Sequence, residues 1–140
     1  MSLFLPFQRA TLLIPSGPKE DTERKHLFVL LTNPYPNLES NIKSVLLVSI
    51  STLRPNLPHD TACKLYKGDH PFIKADSFVL YRLARIETTD KLIKGVGEGV
   101  FYHKETLSEE IFTRVAHGLT ESRFTTPAIL KFYQLATSKP

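Results

Sequence analysis

The feature that most constrains this chain is its division into short apolar runs separated by loops rich in proline, glycine and polar residues. The 140 residues include ten prolines and six glycines. Proline removes a backbone donor and glycine favours turns, so these residues mark loops between short strands. The pattern predicts a mainly β fold. With 41% hydrophobic and 23% charged residues, we expect residues 1–140 to form a single domain.

Several of the apolar runs have the β-branched and aromatic content of strands. The predicted strands are residues 11–15, 26–32, 44–52, 61–68 and 77–87, with 92–102 as a bulged strand or hairpin. The last assignment rests on glycines at alternate positions. Segment 44–52 begins with continuous apolar residues and ends in alternation, which is typical of a central strand buried first on both faces and then on one.

The segments between these runs are predicted loops. Residues 19–25 are charged, and residues 53–60 contain two prolines. Residues 33–37 also contain two prolines, which we expect to prevent ladder pairing.

The periodicity changes from strand to helix after residue 105. Thr106 and Glu109 have the spacing of a capping box, and apolar residues then follow at helical spacing as far as Leu119. Thr126 followed by Pro127 predicts the start of a second helix. Five or six short strands followed by two helices predict a small curled barrel with the helices packed on one side.

Charge and cysteine content narrow the classes of partner. A net charge of +4 and a pI of about 9.2 permit an anionic partner, although the basic residues are spread along the chain. Cys63 is the only cysteine and lies in an alternating run, so we expect it to be a buried small side chain. No histidine pair has metal-ligand spacing. We therefore expect a cytoplasmic protein without cofactor, metal site or membrane association.

Two histidines are candidates for proton transfer. His70 lies in the turn Gly68–Pro71, and His26 opens a predicted strand. The proline that follows His70 favours an extended conformation there. Two interpretations stay open: an ordinary turn in which His70 faces water, or a general acid or base, since imidazole titrates near neutral pH.

Hydroxyl and basic side chains follow the strongest predicted strand. Ser51 and Thr52 end that strand, and Arg54 lies just beyond it. Hydroxyl groups beside a guanidinium can hold a phosphate. The alternative is an ordinary strand end with a surface arginine. The other candidates for substrate contact are Lys74, Ser77 and Arg82.

The order of these motifs resembles that of a known family. The runs HLFVLLT (26–32), VLLVSIST (45–52), ACKL (62–65) and DSFVLYRLARI (76–86) are similar to the core of the MazF/PemK-like toxins of bacterial toxin–antitoxin systems. The resemblance covers about residues 26–90, and Thr52 matches the family's threonine at a strand end. It implies an SH3-like barrel, a homodimer and metal-independent endoribonuclease activity on single-stranded RNA, which an antitoxin protein blocks.

Cleavage of RNA needs a base for the ribose 2′-hydroxyl, an acid for the leaving 5′-oxygen, and cations on the phosphorane. The predicted catalytic residues are His70, Thr52, Arg82 and His26. In this hypothesis His70 is the general base or acid, His26 is a second proton carrier, and Arg54 or Arg82 clamps the phosphate. It requires these groups to meet at one anion-sized hollow. The alternatives are a non-catalytic barrel that binds nucleic acid or a peptide through its aromatic side chains, and a purely structural protein.

Overall fold

The structure, a computed structural model, describes residues 3–15 and 25–138. The strands are β1 (Thr11–Pro15), β2 (Lys25–Leu30), β3 (Tyr35–Pro36), β4 (Lys43–Thr52), β5 (Lys64–Leu65), β6 (Ser77–Thr88) and β7 (Tyr102–Lys104). The helices are α1 (Thr89–Gly97), α2 (Glu109–Glu121) and α3 (Pro127–Thr137). The strands form one antiparallel sheet in the order β5-β6-β4-β2-β1-β7, with β3 paired to β4, and the sheet curls into a half-barrel. The predicted mainly β fold with C-terminal helices is confirmed at this level.

The central strand β4 is buried on both faces. From Val45 to Val48 every side chain is fully inaccessible. Leu46 and Val48 belong to a core that includes residues of α2 and α3, here called the C-terminal core. Val45 and Leu47 belong to a second core that includes Phe4 and residues of α1, the N-terminal core. Because alternate residues of a strand point to opposite faces, two covered faces require the continuous apolar run seen in the sequence.

The predicted bulged strand or hairpin at 92–102 is wrong. Residues Thr89–Gly97 form α1, and Thr88 caps it by accepting a hydrogen bond from the amide of Lys91 at 3.2 Å. Gly95 lies so close to the Phe101 ring that a Cβ at this position would overlap the ring. The glycine therefore permits close packing of a helix against the chain that follows it. The two predicted helices, α2 and α3, both pack in the C-terminal core, whereas α1, which was not predicted, packs in the N-terminal core.

The predicted capping box at Thr106 is wrong as well. Ser108 is the N-cap of α2, and its Oγ accepts a hydrogen bond from the amide of Ile111 at 3.3 Å. The helix begins late because Leu107 is tied to the N-terminal segment: its amide donates to the carbonyl of Arg9 at 2.9 Å, and its side chain is fully buried. The start of α3 is confirmed, with Thr126 as N-cap and proline in the first turn.

Two of the shorter segments differ from prediction. Tyr35 and Pro36 pair with β4, so the prolines of 33–37 do not prevent ladder pairing, which agrees with the tolerance of edge strands for proline. Of the predicted strand 61–68, only Lys64–Leu65 is extended and paired. Cys63 is buried, as expected. Residues 19–24 of the predicted charged loop lie outside the described residues.

Strand β6 does not follow β4 in a continuous register. Leu47 lies opposite Arg85, whereas Ser49 lies opposite Leu80, so extra residues are accommodated on β6 between the two pairs. Such an irregularity redirects the side chains of the longer strand. Within the described parts of the chain, no helix has the length and apolar character needed to cross a membrane.

Candidate functional site

A hollow of ≈ 340 Å³ opens at one end of the sheet, where β2 and β6 begin and β4 ends. We call it the rim hollow. Segment 72–75, which leads into β6, forms its remaining side. The predicted site residues that line it are His26, Ser51, Thr52, Arg54, Lys74 and Ser77. In an antiparallel sheet, alternate strands begin and end at the same edge, which is why residues distant in sequence meet here.

The strand register aligns the hydroxyl groups of the rim hollow. Thr52 lies directly opposite Ser77 on the neighbouring strand. Leu27 lies opposite Ile50, and continuing this antiparallel register places His26 opposite Ser51. The Ser77 hydroxyl donates to the carbonyl of Ala75 at 2.8 Å, so its oxygen remains able to accept a hydrogen bond. The end of β4 is polar because the two cores no longer cover it, and Thr52 is exposed.

Two loop residues, together with Lys25 of β2, give the rim hollow its positive charge. Arg54 and Lys74 are exposed, and no carboxylate among the described residues lies within ion-pair distance of either. The two loops are joined by a hydrogen bond of 2.9 Å from the amide of Leu53 to the carbonyl of Asp76. The Asp76 carboxylate is paired with Lys64 at 3.7 Å. The described lining residues include no acid, so this surface favours an anion.

His70 lies outside the rim hollow and is held by the protein interior. Its side chain is 3% exposed, so the interpretation in which His70 lies in a turn and faces water is wrong. Nδ1 accepts a hydrogen bond from the amide of Phe72 at 3.0 Å, and Nε2 lies 2.7 Å from the carbonyl oxygen of Glu105. These partners require a proton on Nε2, which donates to the carbonyl, and a bare Nδ1. Both nitrogens are therefore engaged, and His70 fixes the start of segment 72–75.

Arg82 also lies away from the rim hollow. It lines a second cavity, bounded by residues 58–62, β6 and the residues after α2. It stands in the part of β6 that has no register partner on β4, so the strand irregularity separates it from the Thr52 end. Of the two predicted phosphate clamps, Arg54 is therefore the one that lines the same hollow as the hydroxyl groups.

Among the histidines that the structure describes, His26 is the one that lines the rim hollow. It is half-buried at the start of β2. A role in proton transfer stays a prediction, since cleavage of RNA needs both a base and an acid. Phe72, one of the aromatic side chains on which the predicted binding alternative depends, also lines the hollow, and so does Lys25, which was not predicted. Continuing the register of β2 and β4 places Lys25 opposite Thr52, so the pairing of these strands could have indicated it.

Neither the cysteine nor a metal cluster offers other chemistry in the described residues. Burial raises the pKa of the Cys63 thiol, so the nucleophilic thiolate is disfavoured. Burial also raises the pKa of Tyr81, whose hydroxyl donates to the carbonyl of Val115 at 2.7 Å. No group of three histidine, cysteine, aspartate or glutamate side chains within the described ranges is arranged to hold a metal ion.

Comparison with known proteins adds no relative. The chain matches no protein-family model, no curated protein and no solved structure. The geometry and charge of the rim hollow therefore carry the functional inference.

Proposed function

We propose that this protein binds single-stranded RNA and that the rim hollow holds a backbone phosphate. One observation carries the proposal: Arg54 and Lys74 line the same hollow as the exposed Thr52 hydroxyl, at the open end of the sheet. A guanidinium and a hydroxyl can donate to the oxygens of a phosphate, and an ammonium adds a second positive charge.

A single strand fits this surface better than a duplex does. Phe72 lines the same hollow and is 40% exposed. An exposed aromatic ring beside a cationic surface can stack on an unpaired base, whereas the bases of a duplex are already stacked on one another. The phosphate contact supplies affinity, and the ring selects unpaired nucleotides.

The test is fluorescence anisotropy with a labelled single-stranded RNA of mixed sequence. Arg54→Ala and Lys74→Ala should each weaken binding and reduce the slope of log affinity against log salt by about 0.7 per lost phosphate contact. Lys131→Ala is the matched control, because Lys131 is an exposed lysine of α3 that lines neither cavity. Equal binding by all three variants and the parent would contradict the proposal.

A second candidate is the toxin-like endoribonuclease, in which an SH3-like barrel, as a homodimer, cleaves single-stranded RNA without a metal and an antitoxin covers its groove. The position of His26 beside Ser51 favours it, because an imidazole at a phosphate site can transfer the proton of the ribose 2′-hydroxyl. The positions of His70 and Arg82 outside the rim hollow favour binding over catalysis.

Cleavage is measured separately from binding. Labelled RNA is incubated with the protein in EDTA, and the products are resolved by length. The catalytic candidate predicts cleavage that His26→Ala abolishes while His117→Ala, a control on the exposed face of α2, has no effect. If the parent protein binds the RNA and the RNA stays intact, the catalytic function is excluded and the binding function stands.

A further inference from the structure

The second cavity, which contains Arg82, has the size and composition of a ligand site. Its volume is ≈ 540 Å³, within the range of about 300–1,000 Å³ that small-ligand pockets occupy. We call it the side cavity. Its walls come from residues 58–62, from residues 78–82 of β6 and from residues 121–124, at the end of α2 and just after it.

Aromatic rings form the walls of the side cavity. The His59 and Phe78 rings lie 5.3 Å apart between centroids with an interplanar angle of 47°. Across the cavity, Phe124 is 39% exposed, and the guanidinium of Arg123 lies 5.0 Å from its ring centroid. Exposed rings on two walls can take a planar group between them or against one face.

Hydrogen bonds hold the two loop walls together. The Asp60 carboxylate accepts from the amide of Ala62 at 2.9 Å and from the Ser122 hydroxyl at 2.6 Å. The same hydroxyl oxygen accepts from the amide of Phe124 at 3.1 Å. The cavity is therefore formed before a ligand arrives, which lowers the ordering cost of binding.

The side cavity contains two guanidinium groups and two carboxylates. The Asp60 carboxylate accepts from the two donors just described, and Glu121 lies 3.5 Å from His117 of α2. Arg82 and Arg123 are both exposed, and no described carboxylate lies within ion-pair distance of either. The combination of rings and guanidinium groups fits a planar ring attached to an anion, which is the chemistry of a nucleotide.

The side cavity adjoins the rim hollow along β6. Ser77 lines the rim hollow, and the next residue, Phe78, lines the side cavity. Each is paired with β4: Ser77 lies opposite Thr52 and Phe78 opposite Ser51. Because consecutive side chains of a strand point to opposite faces, an RNA strand contacts both sites by crossing the end of the sheet between them.

We infer that the side cavity is a base-binding site for the RNA strand whose phosphate occupies the rim hollow. The inference rests on the proposed function. One base stacks on the Phe124 or His59–Phe78 wall, and Arg82 contacts the phosphate attached to that nucleotide. The side cavity thus sets a preference for strands that carry bases over a bare sugar–phosphate chain.

The experiment compares two labelled probes by anisotropy: a single-stranded RNA, and an abasic ribose-phosphate chain of the same length. The parent should bind the RNA at least about fivefold more tightly than the abasic chain, as expected for one stacked base. Phe124→Ala should reduce that difference and leave the part that stacking on Phe72 contributes, and Arg82→Ala should weaken binding of both probes. Phe7→Ala is the control, since Phe7 is also an exposed ring and lines neither cavity. RNA containing 4-thiouridine should cross-link to residues 59, 78 or 124.

The outcomes separate the two proposals. If the parent binds both probes equally and Phe124→Ala changes nothing, the base-binding site is refuted while the phosphate site stands. If neither probe binds, the RNA-binding function is refuted and the inference with it. Cross-links confined to residues outside the side cavity, or Phe124→Ala indistinguishable from Phe7→Ala, would overturn the inference even if RNA binding is strong.

Discussion

Replacement of His70 tests whether this buried side chain fixes the segment that forms one side of the rim hollow. His70→Ala removes the acceptor for the Phe72 amide at 3.0 Å and the donor to the Glu105 carbonyl at 2.7 Å. Each hydrogen bond contributes about 1 kcal/mol. Loss of the buried ring adds roughly 1–2 kcal/mol. The expected loss of unfolding free energy is therefore about 3–4 kcal/mol by this reckoning.

His70→Asn separates the two bonds. An asparagine Oδ1 stands where Nδ1 stood and can still accept from the amide two residues on, but its shorter side chain does not reach Glu105. We expect a loss of about 2 kcal/mol, from one hydrogen bond and part of the ring volume. The Glu105 carbonyl keeps its second donor, the Thr11 hydroxyl at 2.8 Å, so no acceptor is left unpaired.

Urea denaturation followed by circular dichroism measures both variants against the parent. The anisotropy assay then measures RNA affinity. His70→Ala should weaken RNA binding several-fold because segment 72–75 loses its anchor, whereas His70→Asn should bind nearly as the parent does. Equal stability of all three proteins would refute the structural role of His70. Equal loss by both variants would refute the assignment of the Phe72 bond.

Two further predictions concern packing and ionisation. Gly118→Ala should destabilise the protein by about 1–3 kcal/mol, because a Cβ there would overlap the Tyr81 hydroxyl and lie 3.0 Å from Cys63 Cβ. Gly97→Ala, where a Cβ meets open space, should instead be neutral or stabilise by up to about 1 kcal/mol in the same denaturation assay. Because burial raises the pKa of Tyr81 in the folded state, the contribution of Tyr81 to stability should be complete below about pH 10. It should fall by about 1.4 kcal/mol per pH unit above that pH, as the unfolded tyrosine ionises. Tyr81→Phe should lack that contribution, so the difference in unfolding free energy between parent and variant should shrink as the pH rises. A constant difference from pH 8 to 11 would contradict the raised pKa of Tyr81.

The sequence predicted those strands whose burial determines the residue types at consecutive positions. Residues 44–52 show this best, because the two covered faces require apolar residues at consecutive positions. The α1 helix was missed because glycines at alternate positions, among them Gly95, are also typical of a bulged or bent strand. The reason for that glycine, contact with Phe101, is a packing constraint that residue spacing does not reveal.

The candidate site could be predicted only where strand geometry determines it. When β4 and β6 pair in antiparallel fashion, the end of β4 lies beside the start of β6. The proximity of Thr52 and Ser77 could therefore be predicted from the sequence. The partners of His70 could not, because Glu105 and Thr11 are 35 and 59 positions away in the chain. Arg82 was misplaced because the irregular register between β4 and β6 depends on tertiary packing.

The central claim is that the rim hollow holds a phosphate of single-stranded RNA. A crystal structure of the protein with a short single-stranded RNA tests it most directly. We predict a backbone phosphate in contact with the Arg54 guanidinium and the Lys74 ammonium, with an oxygen within hydrogen-bond distance of the Thr52 hydroxyl. RNA bound on another face while the rim hollow contains only solvent would contradict the account.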